Sequence, residues 1–187
     1  ITGIDRKLVV GFKDVFTGRV MLGNRVVIIG AGGIGCETAV FVAQSAVTPE
    51  SIVFLLSNGA ITAEEALRLT KTERQVTLVR RKGPIGGGVP RQVRWVILQE
   101  LGRLGVNMIT DLDYNEITDD GLVIVQNGQR KLLPADTIIL APGGEPDDDL
   151  YQQLQGKVAE VYRIGNAKQV RNCLSAVYEG AEIARAI

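Results

Sequence analysis

GNRVVIIGAGGIGCETA, residues 23–39, decides the fold. Arg25 to Ile29 is a short, unbroken β-branched run, the pattern of a strand covered on both faces. Gly30-Ala31-Gly32-Gly33-Ile34-Gly35 follows at once, and Thr38 to Gln44 then reads as an apolar helix. Strand, glycine turn and helix in that order are the context in which a GxGxxG pattern counts as a dinucleotide fingerprint rather than a turn that binds nothing. Gly30 permits a tight strand exit, Gly32 lets backbone approach a pyrophosphate, and Gly35 lets helix and strand pack closely. Gly33 and Ile34 open the helix, whose free N–H groups would face the diphosphate. Glu37, two residues past Gly35, is expected in the first helical turn, where a carboxylate suits the macrodipole. The functional alternative for Glu37 is a contact with the nicotinamide carboxamide.

Working outward, Val76 to Val79 is a second core strand, and it ends in Arg80-Arg81-Lys82. An NAD site usually carries Asp or Glu at this point, accepting hydrogen bonds from the ribose 2′-hydroxyl. Three cations instead suit a 2′-phosphate, so NADPH is expected, with NADH and a merely solvated basic turn as alternatives. Residues 45–75, between the two strands, read as a helical insertion. Thr48-Pro49-Glu50 looks like an N-cap, a first-position proline and an acidic first turn, and Thr62-Ala63-Glu64-Glu65 starts a second helix.

Beyond Lys82 comes the loop Gly83-Pro84-Ile85-Gly86-Gly87-Gly88, then an amphipathic helix with the inward stripe Val93, Ile97, Leu101 and Leu104. Trp95 on that helix is expected in core or interface packing, and Arg91 and Arg94 in solvent, with a phosphate contact from the helix start as the alternative for either arginine. Val106 to Ile109 is a third strand. From Tyr114 to Leu133 the period changes to two, with Asp120-Gly121 and Asn127-Gly128 as hairpin turns, which makes an antiparallel meander. Thr137 to Ala141 returns to a buried parallel strand, and Ala141 and Gly143 at its end join the cofactor-binding candidates. Pro142-Gly143-Gly144-Glu145-Pro146 suggests a boundary, Val161 to Ile164 a last strand, and Ser175 to Ile187 a last helix. The expected fold class is α/β: a Rossmann-like three-layer parallel sheet with an antiparallel meander and a helical insertion.

Composition narrows the chemistry. Across 187 residues Lys+Arg and Asp+Glu balance at 21 each, which gives no basic face for nucleic acid. No apolar run approaches the roughly 20 residues that span a bilayer, and no leader precedes Ile1, so a soluble, cytoplasmic protein is expected. Histidine is absent, which removes His-based triads and the commonest metal ligand; neither a metal site nor a catalytic side chain is expected. Cys36 and Cys173 form no CxxC pair and are expected to be small buried hydrophobes. The chain opens without Met and reads as a piece of a longer protein whose oligomeric state is hidden.

Several stretches together resemble a known family over nearly the whole chain: residues 23–39, QVTLVRRKGPIGGG (75–88), GVNMITDLDYNEITDDGLVI (105–124), ADTIILAPGGEP (135–146) and RNCLSAVYEGAEIARAI (171–187). They resemble the C-terminal, pyridine-nucleotide-binding part of the 2,4-dienoyl-CoA reductase group, flavin oxidoreductases built on an old-yellow-enzyme-like barrel. The resemblance implies an NADPH half covering residues 23–142, a crossover from an FAD half at 1–22, and a return into that half at 143–187. The implied partners are the FAD half and an FMN barrel of the same polypeptide. Hydride would pass from NADPH to FAD, then single electrons through a 4Fe-4S cluster to FMN, which reduces an enoyl substrate. Where two-dinucleotide flavoproteins carry Ile-Gly-Asp at the flavin ribityl chain, this sequence has Ile164-Gly165-Asn166; Gly165 and Asn166 are FAD-contact candidates in the intact protein. The alternatives are a free-standing NAD(P)-dependent dehydrogenase and a non-catalytic nucleotide-binding scaffold.

Overall fold

The computed structural model describes residues 1–44, 47, 49–70 and 72–187, which resolve into two compact units, Ile1–Gly143 and Gly144–Ile187. The expected cap at Thr48 lies outside the described residues. In the first unit, five parallel strands form one sheet: β1 (Val9–Gly11), β2 (Arg25–Ile29), β3 (Gln75–Arg80), β4 (Asn107–Thr110) and β8 (Thr137–Leu140), in the order β1-β8-β2-β3-β4. A separate antiparallel sheet, β5 (Asp113–Thr118), β6 (Gly121–Gln126) and β7 (Gln129–Pro134), is the expected meander. Residues 1–22, read from sequence as a crossover, contain β1 and the short helix α1 (Phe12–Phe16), and β1 pairs with β8 at the sheet edge. Val9-Val10-Gly11 is too short to stand out as a strand by pattern.

Alternation along β2 builds the three layers. Val26 and Ile28 face a core with Cys36, Ala39 and Val42 of α2 (Gly33–Ala43) and Leu101 of α5 (Arg91–Arg103). Val27 and Ile29 face a second core with Ile117, Leu122, Ile124 and Leu133 of the meander. A strand buried on both faces must be apolar at every position, which is why RVVII shows no period of two. At the start of the strands Asp136 accepts from the Arg25 backbone N–H at 2.8 Å and from its Nε at 3.0 Å.

The insertion is helical, as α3 (Pro49–Ser57) and α4 (Ala63–Leu69). A reciprocal capping box starts α4: Thr62 Oγ1 accepts from Glu65 N–H at 3.2 Å, and Glu65 Oε2 accepts from Thr62 N–H at 2.8 Å. Several expectations need correction. Val93 is 48% exposed and Trp95 62% exposed, so neither is in the core of this chain, and the buried side of α5 runs through Leu101 to its C-cap Leu104 with Ile97 and Leu98 packed beside it. Cys173 is exposed, whereas Cys36 is buried as expected.

In the second unit are α6 (Asp149–Leu154), a 3-10 turn at Gly165–Ala167 and α7 (Cys173–Ala186). Val161 to Ile164 runs without strand pairing, so the expected last strand is absent among the described residues. Asn172 caps α7, accepting from Ser175 N–H at 2.9 Å. No helix among the described residues is long and apolar enough to cross a membrane.

Candidate functional site

The site begins where β2 ends. Gly30 has φ +104°, and a Cβ there would lie 2.2 Å from the Ala141 carbonyl oxygen. Its N–H donates to Val79 O at 3.0 Å, so the turn leaves the sheet without losing a hydrogen bond. A Cβ on Gly35 would lie 1.8 Å from the Gly30 carbonyl oxygen; α2 therefore rests directly on the turn. Gly32 is different. Its Cβ would meet only Gly87 O, at 3.8 Å, an ordinary contact. No protein atom demands glycine at 32, so the space above it is open to a ligand's backbone approach. Gly32 is also the N-cap of α2 and no side chain caps it, so the helix presents its first N–H groups, from Gly33 to Gly35, at its positive end.

Ala141 is buried and donates to Ile29 O at 2.9 Å, while Gly143 is exposed at φ +114°. These residues lie at the carboxyl ends of β2 and β8, with β3 on the other side of β2. Strand order reverses there, and open α/β sheets bind ligands in the crevice so formed. The larger cleft, about 750 Å³ and lined by Val20, Leu22, Phe41 and Arg74, is at the opposite end of the strands.

The three cations do not act as one cluster. Arg80 turns inward: its Nε donates to Lys82 O at 2.8 Å, and its Nη1 to Ala31 O at 3.0 Å and Gly87 O at 3.4 Å. Gly86 N–H donates to the same Ala31 oxygen at 2.8 Å. Arg94, expected in solvent, is half-buried and donates from Nε to Ile85 O at 2.7 Å, a correction that follows from its place beneath the 83–88 loop. Arg81 and Lys82 are exposed and line a cleft of about 340 Å³ with Asp111, Asp113 and Asn127. The Arg81 guanidinium lies 5.2 Å from the centroid of the Tyr114 ring, whose hydroxyl donates to Val79 O at 3.3 Å. Burial pushes the Tyr114 phenol up, so it stays neutral beside the cations.

Position 80 thus carries no carboxylate, but Asp111 and Asp113 border the cleft, and sequence reasoning missed both. Asp111 has φ +58°, and only the fold brings this bend back to the end of β3. The clamp on the 83–88 loop was also missed, although three consecutive glycines between arginines were its signal. Glu37 is the fifth residue of α2 rather than part of its first turn; it is exposed, in a groove with Val40 and Phe41 facing Val96 and Glu100 of α5. In the second unit, Gly165 has φ +58° and donates its N–H to Glu179 Oε2 at 2.8 Å. Glu179 is ion-paired with Arg171, whose N–H donates to Asn166 Oδ1 at 3.3 Å.

Sheet, switch point and glycine turn define a Rossmann-type dinucleotide-binding domain. Residues 9–186 match the model of the pyridine nucleotide-disulphide oxidoreductase family, and the chain belongs to that family of flavin- and pyridine-nucleotide-dependent oxidoreductases. It is 35% identical over 168 residues to a metal reductase of Desulforamulus reducens, covering 89% of this chain and 25% of that protein. It is 26% identical over 187 residues to a cinnamate reductase of Clostridium sporogenes, covering 100% of this chain and 24% of that protein. A solved structure of 2-naphthoyl-CoA reductase with 2-naphthoyl-CoA superposes with a TM-score of 0.72 at 27% identity, covering 96% of this chain and 24% of the other. The chain spans about a quarter of the length of the curated relatives it matches.

Proposed function

We propose that this chain is the NADPH-binding domain of a larger flavin-dependent oxidoreductase of the dienoyl-CoA reductase type, passing hydride from NADPH to FAD for reduction of an enoyl or dienoyl substrate. The observation that carries the cofactor choice is the end of β3, where Arg81 and Lys82 open onto a cleft and position 80 offers no carboxylate to a ribose 2′-hydroxyl. Gly32 leaves room for the pyrophosphate, and the opening of α2 supplies its N–H donors. Ala141 and Gly143 border the turn, and Glu37 takes the nicotinamide carboxamide in this reading. Gly165 and Asn166 serve the FAD side. The nicotinamide and flavin supply the hydride chemistry; the chain's residues bind and orient them. The names of the cinnamate and 2-naphthoyl-CoA reductases support an unsaturated substrate conjugated to a carbonyl group.

Calorimetric titration with NADPH and NADH tests the cofactor choice. NADPH is expected to bind at least about tenfold more tightly at low salt, the scale of one or two charge-assisted contacts to a phosphate. Equal affinities would overturn the preference. Co-expression with the FAD half is expected to give NADPH-driven bleaching of the flavin band, and a folded complex without bleaching would count against hydride transfer.

A further inference from the structure

We infer that Arg80 is a positioning residue that fastens the 83–88 glycine loop over the pyrophosphate turn, and that of the three cations only Arg81 and Lys82 take part in the choice between NADPH and NADH. The inference rests on the dinucleotide reading above and divides the labour within it. Arg80 reaches away from the cleft to three backbone carbonyls, of Lys82, Ala31 and Gly87. Ala31 lies within the glycine turn and Gly87 within the loop, so one guanidinium ties the two together. Gly86 N–H reinforces the tie by donating to the same Ala31 oxygen.

Glycine makes this closeness possible. Gly86 has φ +70° and Gly88 φ +95°, conformations that let the loop double back on itself. A Cβ on Gly87 would lie 2.7–2.9 Å from three atoms of the Arg80 guanidinium. The same loop supplies the atom that a Cβ on Gly32 would meet first, Gly87 O at 3.8 Å, so the loop's position bounds the space beside the turn. Arg80 Nε and Nη1 are directed at these three carbonyls, and Arg80 does not line the cleft that Arg81 and Lys82 share, so it is poorly placed to grip a phosphate there. Its substitution should therefore loosen the pyrophosphate cradle, which both dinucleotides use. Substitution of Arg81 or Lys82 should remove what only the 2′-phosphate uses.

The test compares Arg80→Gln, Arg80→Lys, Arg81→Ala, Lys82→Ala and Gly87→Ala by calorimetry with NADPH, NADH and 2′,5′-ADP. Arg80→Gln is expected to weaken NADPH and NADH by the same factor, about tenfold, leaving their ratio unchanged. Arg81→Ala and Lys82→Ala are expected to weaken NADPH and 2′,5′-ADP by about tenfold while NADH binds as before. Arg80→Lys, able to reach one carbonyl at a time, should fall between wild type and Arg80→Gln for both dinucleotides. Gly87→Ala displaces only the flexible end of a side chain, so the protein should fold normally yet bind like Arg80→Gln. The double variant Gly87→Ala/Arg80→Gln should be no weaker than either single one, as expected for two changes that break one contact.

Amide exchange at Gly86 supplies a readout independent of binding, and should quicken in Arg80→Gln and Gly87→Ala but not in Lys82→Ala. Selective loss of NADPH in Arg80→Gln would overturn the inference by making Arg80 a direct phosphate ligand, and additive losses in the double variant would overturn the clamp. A wild type without NADPH preference would instead defeat the cofactor assignment, while equal losses for both dinucleotides in Arg80→Gln would still uphold the clamp.

Discussion

Gly32 and Gly35 stand three residues apart in one turn, yet they are glycine for different reasons. At Gly35 the added methyl would sit 1.8 Å from a backbone oxygen that cannot move without dragging β2. Gly35→Ala is expected to lower stability by about 3 kcal/mol or more, as overpacking against backbone does, measured by urea unfolding. Gly32 has room, since its nearest atom would be at 3.8 Å. Gly32→Ala should unfold within about 0.5 kcal/mol of wild type while losing dinucleotide binding, because the methyl fills space the pyrophosphate needs. A Gly32→Ala protein that binds as wild type would remove the diphosphate from this turn. The packing role of Gly35 was legible in the spacing of the glycines. The inward turn of Arg80 was not, because its acceptors are carbonyls of residues 31 and 87, and sequence shows side chains rather than the direction of distant carbonyls.

Elements were legible to the degree that burial gives them a pattern. β2 and β8 are covered on both faces and read as unbroken apolar runs, and the meander was marked by its two turn dipeptides. β1, three residues long at an edge, and the unpaired stretch 161–164 mark where pattern fails: one strand too short to show a period, one apolar stretch without a partner. The join between β2 and β8 carries its own prediction. Asp136 accepts three hydrogen bonds from Arg25 and is held at about 2, below its ordinary 3.8, chiefly by the Arg25 side chain and then its backbone N–H. A folded-state value below the unfolded one means that the stabilisation is complete above about pH 4. It is then lost as pH falls through about 2. Unfolding midpoints should therefore decline between pH 4 and 2, and Asp136→Asn should flatten that part of the curve. A variant curve parallel to the wild type would show that the pair contributes nothing there.

At the scale of the molecule, both apolar cores, the glycine turn and the basic strand end belong to the unit Ile1–Gly143. A chain ending at Gly143 is accordingly expected to fold cooperatively and bind NADPH within about twofold of the full chain, by circular dichroism and calorimetry. Loss of binding on removal of residues 144–187 would show that the second unit completes the site. The second unit holds its own turn through Glu179, which accepts from Gly165 and pairs with Arg171. Gly165 is thus held by the Glu179 side chain and the Asn166 side chain by the Arg171 backbone N–H, all within residues 144–187.

The insertion of β8 between β1 and β2 also has a temporal meaning. During synthesis strand β1 has no neighbour in the sheet until Thr137–Leu140 arrives, because β8 is its only partner among the described residues. The wall that packs against Gly30 is Ala141, the residue made next. On a translating ribosome the binding crevice is therefore assembled last, and a nascent chain halted before residue 137 should not be retained on an immobilised-cofactor resin, however much of β2, α2 and β3 has already emerged.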